Sequence, residues 1–241
     1  MLSKKVIPMF FVVIILISLI FINCDKSNQE KAKINPTLKE PEIEIIELEE
    51  KVPPTIAVSE WSVINEEEYV KRSILILNGT IIDKKEYVIK NKRNDRYTAE
   101  YYKTVYSVKV SDIYHSDDKE VIVGETIKIM SPVTSYTWDP EAVQIEKGQE
   151  FIFFTGLVRD METSSGTVKL TDLAKYFIGN PFGPIISVKE DSFKFDPVFK
   201  SLSSNATIEE QKISDNYSKE ILVRNDENFI QDLKEMISKY K

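Results

Sequence analysis

The chain offers little with which to do chemistry. Its 241 residues include one histidine, His115, and one cysteine, Cys24. His115 stands in Tyr114-His115-Ser116-Asp117-Asp118, a polar stretch following an alternating run. Zinc sites draw on several His or Cys ligands, and a Ser-His-Asp triad needs a spatial arrangement that no spacing here announces. The expectation is an exposed loop histidine. Asp117, Asp118 and Glu120 lack the spacing and the glycine of an EF-hand loop, so they read as a solvated turn. The seven glycines are scattered, without a G-x-G-x-x-G, Walker or G-x-S-x-G pattern. The expectation is therefore no catalytic residue, no metal and no cofactor.

Two groups of side chains remain. Asp112, Asp139 and Glu141 could serve a hydrolase that uses paired carboxylates for acid–base work, although spacing alone does not bring any two together. Tyr97, Tyr101, Tyr102, Tyr136 and Trp138 flank expected loops and strand ends. Tyr and Trp combine a large rigid contact area with a polar tip, which suits a protein or glycan ligand. A binding module is the leading reading. The alternatives are a carboxylate hydrolase and a structural or assembly component.

The elements that must position these residues read as mainly β (α+β). Glu60–Arg72 suits a short amphipathic helix, with Asn65 or Ser62 as caps. Residues 73–82 form a β-branched run in which Gly79 marks a bulge or bend. Val105–Ile113 alternates apolar and polar residues, as a half-buried strand does. Further strands are expected over Glu125–Met130, Glu150–Leu157 and parts of Tyr176–Val188, with a turn at 145–149. Residues 189–224 read as polar and irregular. In the C-terminal segment Phe229, Leu233, Met236, Ile237 and Tyr240 fall at helical spacing behind the acidic start Asn225-Asp226-Glu227. Short strands without βαβ alternation predict a small antiparallel barrel.

The first 58 residues have a different character. Lys4 and Lys5 precede an apolar run from Val6 to Ile22, and Phe21-Ile22-Asn23-Cys24 leads into the polar Asp25-Lys26-Ser27-Asn28. This resembles the lipobox of bacterial lipoproteins, with Phe21 and Asn23 standing where Leu and a small residue are usual. The resemblance implies removal of residues 1–23 and lipidation of Cys24. It further implies a lipid-anchored, extracytoplasmic place in the bacterial cell envelope, on the cell or outer membrane. Residues 24–58, rich in charge and proline, read as a polar tether, within which Glu42–Glu47 alternates and admits a short strand. Residues 59–241 form a single globular domain.

The full chain carries 32 basic and 39 acidic residues; without Lys4 and Lys5 the remainder has 30 against 39, a net of −9. That sign argues against nucleic acid as a partner. The order "SILILNGTI", "TVYSVKVSDIY", "GETIKI" and "IEKGQEFIFFTGL", closed by a terminal helix, resembles a secreted OB-like barrel. It is distantly similar to netrin-like and metalloproteinase-inhibitor domains. That inhibitor family reaches the protease zinc through an N-terminal cysteine held by disulfides. This chain lacks the arrangement, so inhibition does not carry over.

Overall fold

The computed structural model describes residues 42–49, 55–56, 65–93, 96–132, 137–138, 145–178, 185–189, 192–214 and 217–241. The chain divides into two units, Met1–Glu40, which lies outside the described residues, and Pro41–Lys241. Cys24 and the leader lie outside the described residues.

The second unit is mainly β. Its elements are β1 (Glu42–Glu47), β2 (Thr55–Ile56), α1 (Glu66–Arg72), β3 (Leu75–Arg93), β4 (Arg96–Ser116), β5 (Thr126–Ser131) and β6 (Thr137–Trp138). There follow β7 (Glu150–Leu157), β8 (Met161–Thr163), β9 (Gly166–Val168), β10 (Tyr176–Phe177), β11 (Ile185–Lys189) and β12 (Ser192–Phe195). The chain ends with β13 (Thr207–Ser214), β14 (Tyr217–Arg224) and α2 (Phe229–Tyr240). Short 3-10 turns occupy Leu170–Asp172 and Lys200–Leu202.

Ten strands form one sheet in the order β1-β3-β4-β5-β10-β7-β11-β12-β14-β13, with β3 also pairing with β7. All pairings in it are antiparallel except β5 with β10. Among the described strands the sheet is thus larger than the small barrel expected, and β1 and β13 stand at its two ends.

Where β3 meets β7 the sheet is buried on both faces. Leu75, Leu77, Phe151 and Phe153 join a core with Tyr106, Val108, Ile129 and Tyr176. The intervening Ile76, Ile152 and Phe154 turn to the other face and pack with Phe193, Phe195 and Leu222, and with Tyr69, Val70, Phe229, Leu233 and Met236 of the helices. Burial on both faces explains why these strands are continuous apolar runs and do not alternate. A third, smaller core gathers Ile89, Val105, Met130, Val158, Val168 and Leu170.

Helix α1 begins behind Asn65, whose side chain accepts from the Glu68 N–H at 2.9 Å. It covers the C-terminal part of the span expected, and residues 60–64 lie outside the described ones. Buried Glu66 ties it to the rest of the domain, accepting from Ser201 N–H at 2.8 Å and from Tyr240 O–H at 3.0 Å.

Three features differ from the sequence reading. First, β3 and β4 run far beyond their apolar halves, into the charged stretches 83–93 and 96–104. Second, Glu42–Glu47, the part of the tether that admitted a short strand, is β1 and not a solvated spacer: it pairs with Tyr87–Lys92 and sets Glu47 2.8 Å from Lys85 and Glu44 against Lys92. Third, residues 189–224 are not irregular. They contain β12, β13 and β14, which extend the sheet and place Phe193 and Phe195 in the core.

Candidate functional site

The connection from β4 to β5 is built by short polar residues bonding their own backbone. Ser116 Oγ donates to the Asp118 carbonyl at 2.5 Å, Asp118 N–H to Ser116 Oγ at 3.1 Å, and Glu120 N–H to Asp118 Oδ1 at 3.0 Å. Gly124, at φ +92°, then turns the chain. Across from it, Asp160 accepts from Thr171 N–H at 3.1 Å and Thr171 Oγ1 at 2.7 Å, and pairs with Lys169 at 2.8 Å. That anchors the 3-10 turn ahead of β10.

Between these two connections lies a cleft of about 310 Å³. Val121, Ile127, Leu173 and Ala174 supply its apolar lining, and Glu120, Glu125, Asp172, Lys128 and Lys175 its charges. At one end Asp118 accepts from the Tyr176 hydroxyl and sits 2.7 Å from Lys175 Nζ, which also reaches Glu120 at 2.8 Å. Next in the chain after Val121 of the lining, Ile122 and Val123 stand in solvent at 56% and 57% exposure.

The electrostatics fix protonation states. Lys175, the Tyr176 hydroxyl and the Glu120 N–H together pull the Asp118 carboxyl down to about 2. Burial, with Asp118 adding to it, pushes the Tyr176 phenol up, and Asp118 and Glu120 hold Lys175 charged. Because the folded carboxyl titrates below the unfolded one, its stabilisation is full above about pH 4 and is lost as pH falls towards 2. A carboxyl-carbon NMR titration is expected to give Asp118 a midpoint of about 2. A midpoint near 3.9, the ordinary aspartate value, would show that the Lys175–Tyr176 clasp is not formed.

A second groove of about 530 Å³ runs between α2 and the Ser201–Asn205 turn. Its floor is Arg224, only 1% exposed. Asp226 receives Arg224 Nε at 2.7 Å and Nη2 at 2.6 Å, while Nη1 reaches the Leu202 carbonyl at 3.2 Å and Asp232 at 2.7 Å. Phe229 lies under the guanidinium, 5.3 Å from its ring centre. With its donors engaged inside the domain, this arginine works as a joint between β14, α2 and the turn.

Only part of the residues singled out from sequence falls among the described side chains. Tyr101 and Tyr102 lie within β4, not at a strand end, and as neighbours in a strand they project from opposite faces. Tyr101 is solvent-exposed, and the Tyr102 hydroxyl donates to Glu100. Tyr97 and Trp138 belong to strands β4 and β6, but their side chains lie outside the described ones. Tyr136, Asp139 and Glu141 lie outside the described residues altogether. Asp112 is exposed on β4, accepting from the Ile113 N–H at 2.9 Å. His115 is in β4, not in a loop, with Nε2 3.2 Å from Asp117. The cleft was missed because Asp118 and Tyr176 are 58 residues apart in sequence. The dipeptide Ile122-Val123 ahead of Gly124 was its one local signal.

Among the described residues no cluster of three or more His, Cys, Asp or Glu side chains could hold a metal ion. Among them, too, no helix is long and apolar enough to cross a membrane. No protein-family model matches the chain, and no curated protein matches it.

Proposed function

We propose that this protein is a lipid-anchored component of the bacterial cell envelope, and that its β domain is a non-enzymatic module binding a protein or glycan at the Tyr176 cleft. The cleft carries the reading. It combines an apolar lining with charged groups held in fixed states, and its lining residue Val121 is followed in the chain by two exposed aliphatic side chains, Ile122 and Val123. Binding sites are built in this way, from an apolar surface with a few polar groups that orient the ligand. Acid–base chemistry at pH 7 favours a group that titrates near that pH. Asp118 is held well below the ordinary carboxylate range by Lys175 and the Tyr176 hydroxyl, which suits it to orienting a ligand as a fixed charge.

The pairing scheme supports the OB-like part of the reading. Strands β3, β4, β5, β10 and β7 pair in a circuit that returns to β3, with β5 and β10 parallel. In OB folds, ligands are taken by the face of the second and third strands and by the loop between the fourth and fifth. Here β5 and the segment joining β7 to β10 line the cleft. The anchor rests on the sequence, on Lys4, Lys5, the apolar run and Cys24. Two or three acyl chains hold a protein firmly on a bilayer, at about 0.8 kcal/mol per buried methylene.

The test is in-cell crosslinking of the full-length chain followed by capture from the envelope. One protein or glycan should be enriched, and Ile122→Asp with Val123→Asp should abolish its recovery. Loss instead on Tyr102→Ala with Trp138→Ala would move the binding face to the strands that bear them. Undiminished capture by all variants would refute both faces. Cys24→Ser should release the chain from the detergent phase and leave it full length; unchanged partitioning would overturn the anchor.

A further inference from the structure

Four of the described lysines are half-buried. Three of them meet a carboxylate. Lys84 lies 3.2 Å from Glu146, Lys90 lies 3.5 Å from Glu100, and Lys92 pairs with Glu44. The fourth, Lys103 of β4, has no ion pair and no hydrogen bond at its ammonium among the described residues. Burial lowers this ammonium below the ordinary lysine range, and no neighbouring charge acts on it. A cation drawn partly out of water without a counter-charge is costly, and proteins rarely keep one that nothing meets.

The surroundings of Lys103 suit an anion with an apolar body. Tyr87 of β3 stands opposite it, so the two side chains share one face of the sheet. Tyr101, two residues earlier on β4, shares that face about 7 Å along the strand and is 36% exposed. Opposite Tyr101 lies Ile89, and opposite Ile89 lies Ile45 of β1, 39% exposed. Glu47 stands opposite Tyr87 on the same face, but it is already engaged. Lys85 donates to it at 2.8 and 3.0 Å, and the Tyr87 hydroxyl at 3.5 Å. A ligand reaching this face therefore finds an unmet ammonium beside an exposed aromatic ring.

We infer that Lys103 is the charged point of a ligand site on the β1–β3–β4 face, taking a small organic oxyanion, a carboxylate or a phosphate monoester, borne on an apolar ring that lies against Tyr101. The inference does not depend on the lipid anchor or on the Tyr176 cleft. A charge-assisted hydrogen bond from a partly desolvated ammonium is stronger than one made in water. The ring contact selects organic over inorganic anions.

Competitive acetylation of the full-length chain, with each lysine followed by mass spectrometry, tests the site. Lys109, exposed on the same strand and likewise without a partner among the described residues, is the internal reference. Saturating benzoate or phenyl phosphate should slow labelling of Lys103 about tenfold and leave Lys109 unchanged. The probe that acts at the lower concentration identifies the oxyanion. Tyr101→Ala should weaken the protection severalfold. The site is overturned if neither probe protects Lys103, if Lys109 is protected equally, or if Tyr101→Ala changes nothing. Equal protection by benzylamine, which carries the ring with a positive charge, overturns it too. Lys103→Met separates a binding role from a structural one. Because it removes an unmet charge, it should melt above the parent, and its midpoint should no longer rise with either probe. A variant that melts below the parent would show the ammonium already satisfied inside the domain and would overturn the inference.

Discussion

Arg224→Ala is expected to destabilise the domain by about 3–5 kcal/mol, as much as truncating a buried phenylalanine. The guanidinium is buried, and it separates and neutralises Asp226 and Asp232 while closing the Leu202 carbonyl. Removing it leaves two carboxylates close together with no cation between them, and leaves a cavity against the Phe229 ring. Arg224→Lys keeps a charge, yet its single ammonium cannot reproduce the fork that engages Asp226 through both Nε and Nη2. It is expected to recover less than half of the loss. Denaturant unfolding at pH 7 checks both values, read from the midpoint at constant slope. A loss for Arg224→Ala below about 1 kcal/mol would mean that the three groups rearrange around water and that the joint is dispensable.

Gly79→Val should cost about 3 kcal/mol, the upper end of what overpacking usually exacts. Even a single Cβ at this position would lie 2.5 Å from Val108 Cγ1 and 2.9 Å from the Lys109 carbonyl oxygen. The second of these neighbours is backbone, held by the β3–β4 pairing on one side, while β7 flanks β3 on the other. The chain cannot relax away from the clash without opening a strand pair. The position also sits at a register shift between Asn78 and Gly79, which glycine tolerates readily. Thermal unfolding followed by circular dichroism measures the effect, and a variant as stable as the parent would show that β4 can yield locally.

That glycine was legible in the sequence, and so were the elements whose residue pattern is set by burial. β7 falls on the expected 150–157, and α2 on the spacing of Phe229, Leu233, Met236 and Ile237. The far halves of β3 and β4 were not legible. Residues such as Lys84, Lys85, Lys90 and Lys92 are uncommon in strands, and they stand there because Glu47, Glu100, Glu146 and Glu44 meet them from neighbouring segments. Apart from Lys90 and Glu100, which face each other across the β3–β4 hairpin, the partners lie 38 to 62 residues apart, beyond any local window. The strands between 189 and 224 were hidden for a related reason: β12 buries only Phe193 and Phe195, and the described side chains of β13, Thr207–Glu210, are all exposed. The cleft was the least legible feature. Its lining comes from two connections separated in sequence, and Asp118 looks like any turn aspartate until Lys175 and Tyr176 are folded against it.

The double burial of the β3–β7 seam also bears on how the domain comes apart. Leu75 and Leu77 belong to one core and Ile76 to the other, and the same division runs through Ile152, Phe153 and Phe154. Neither core can lose its seam residues without withdrawing a wall from the other. The two faces of the sheet are therefore obliged to melt together, in one cooperative transition, although each has a hydrophobic interior of its own.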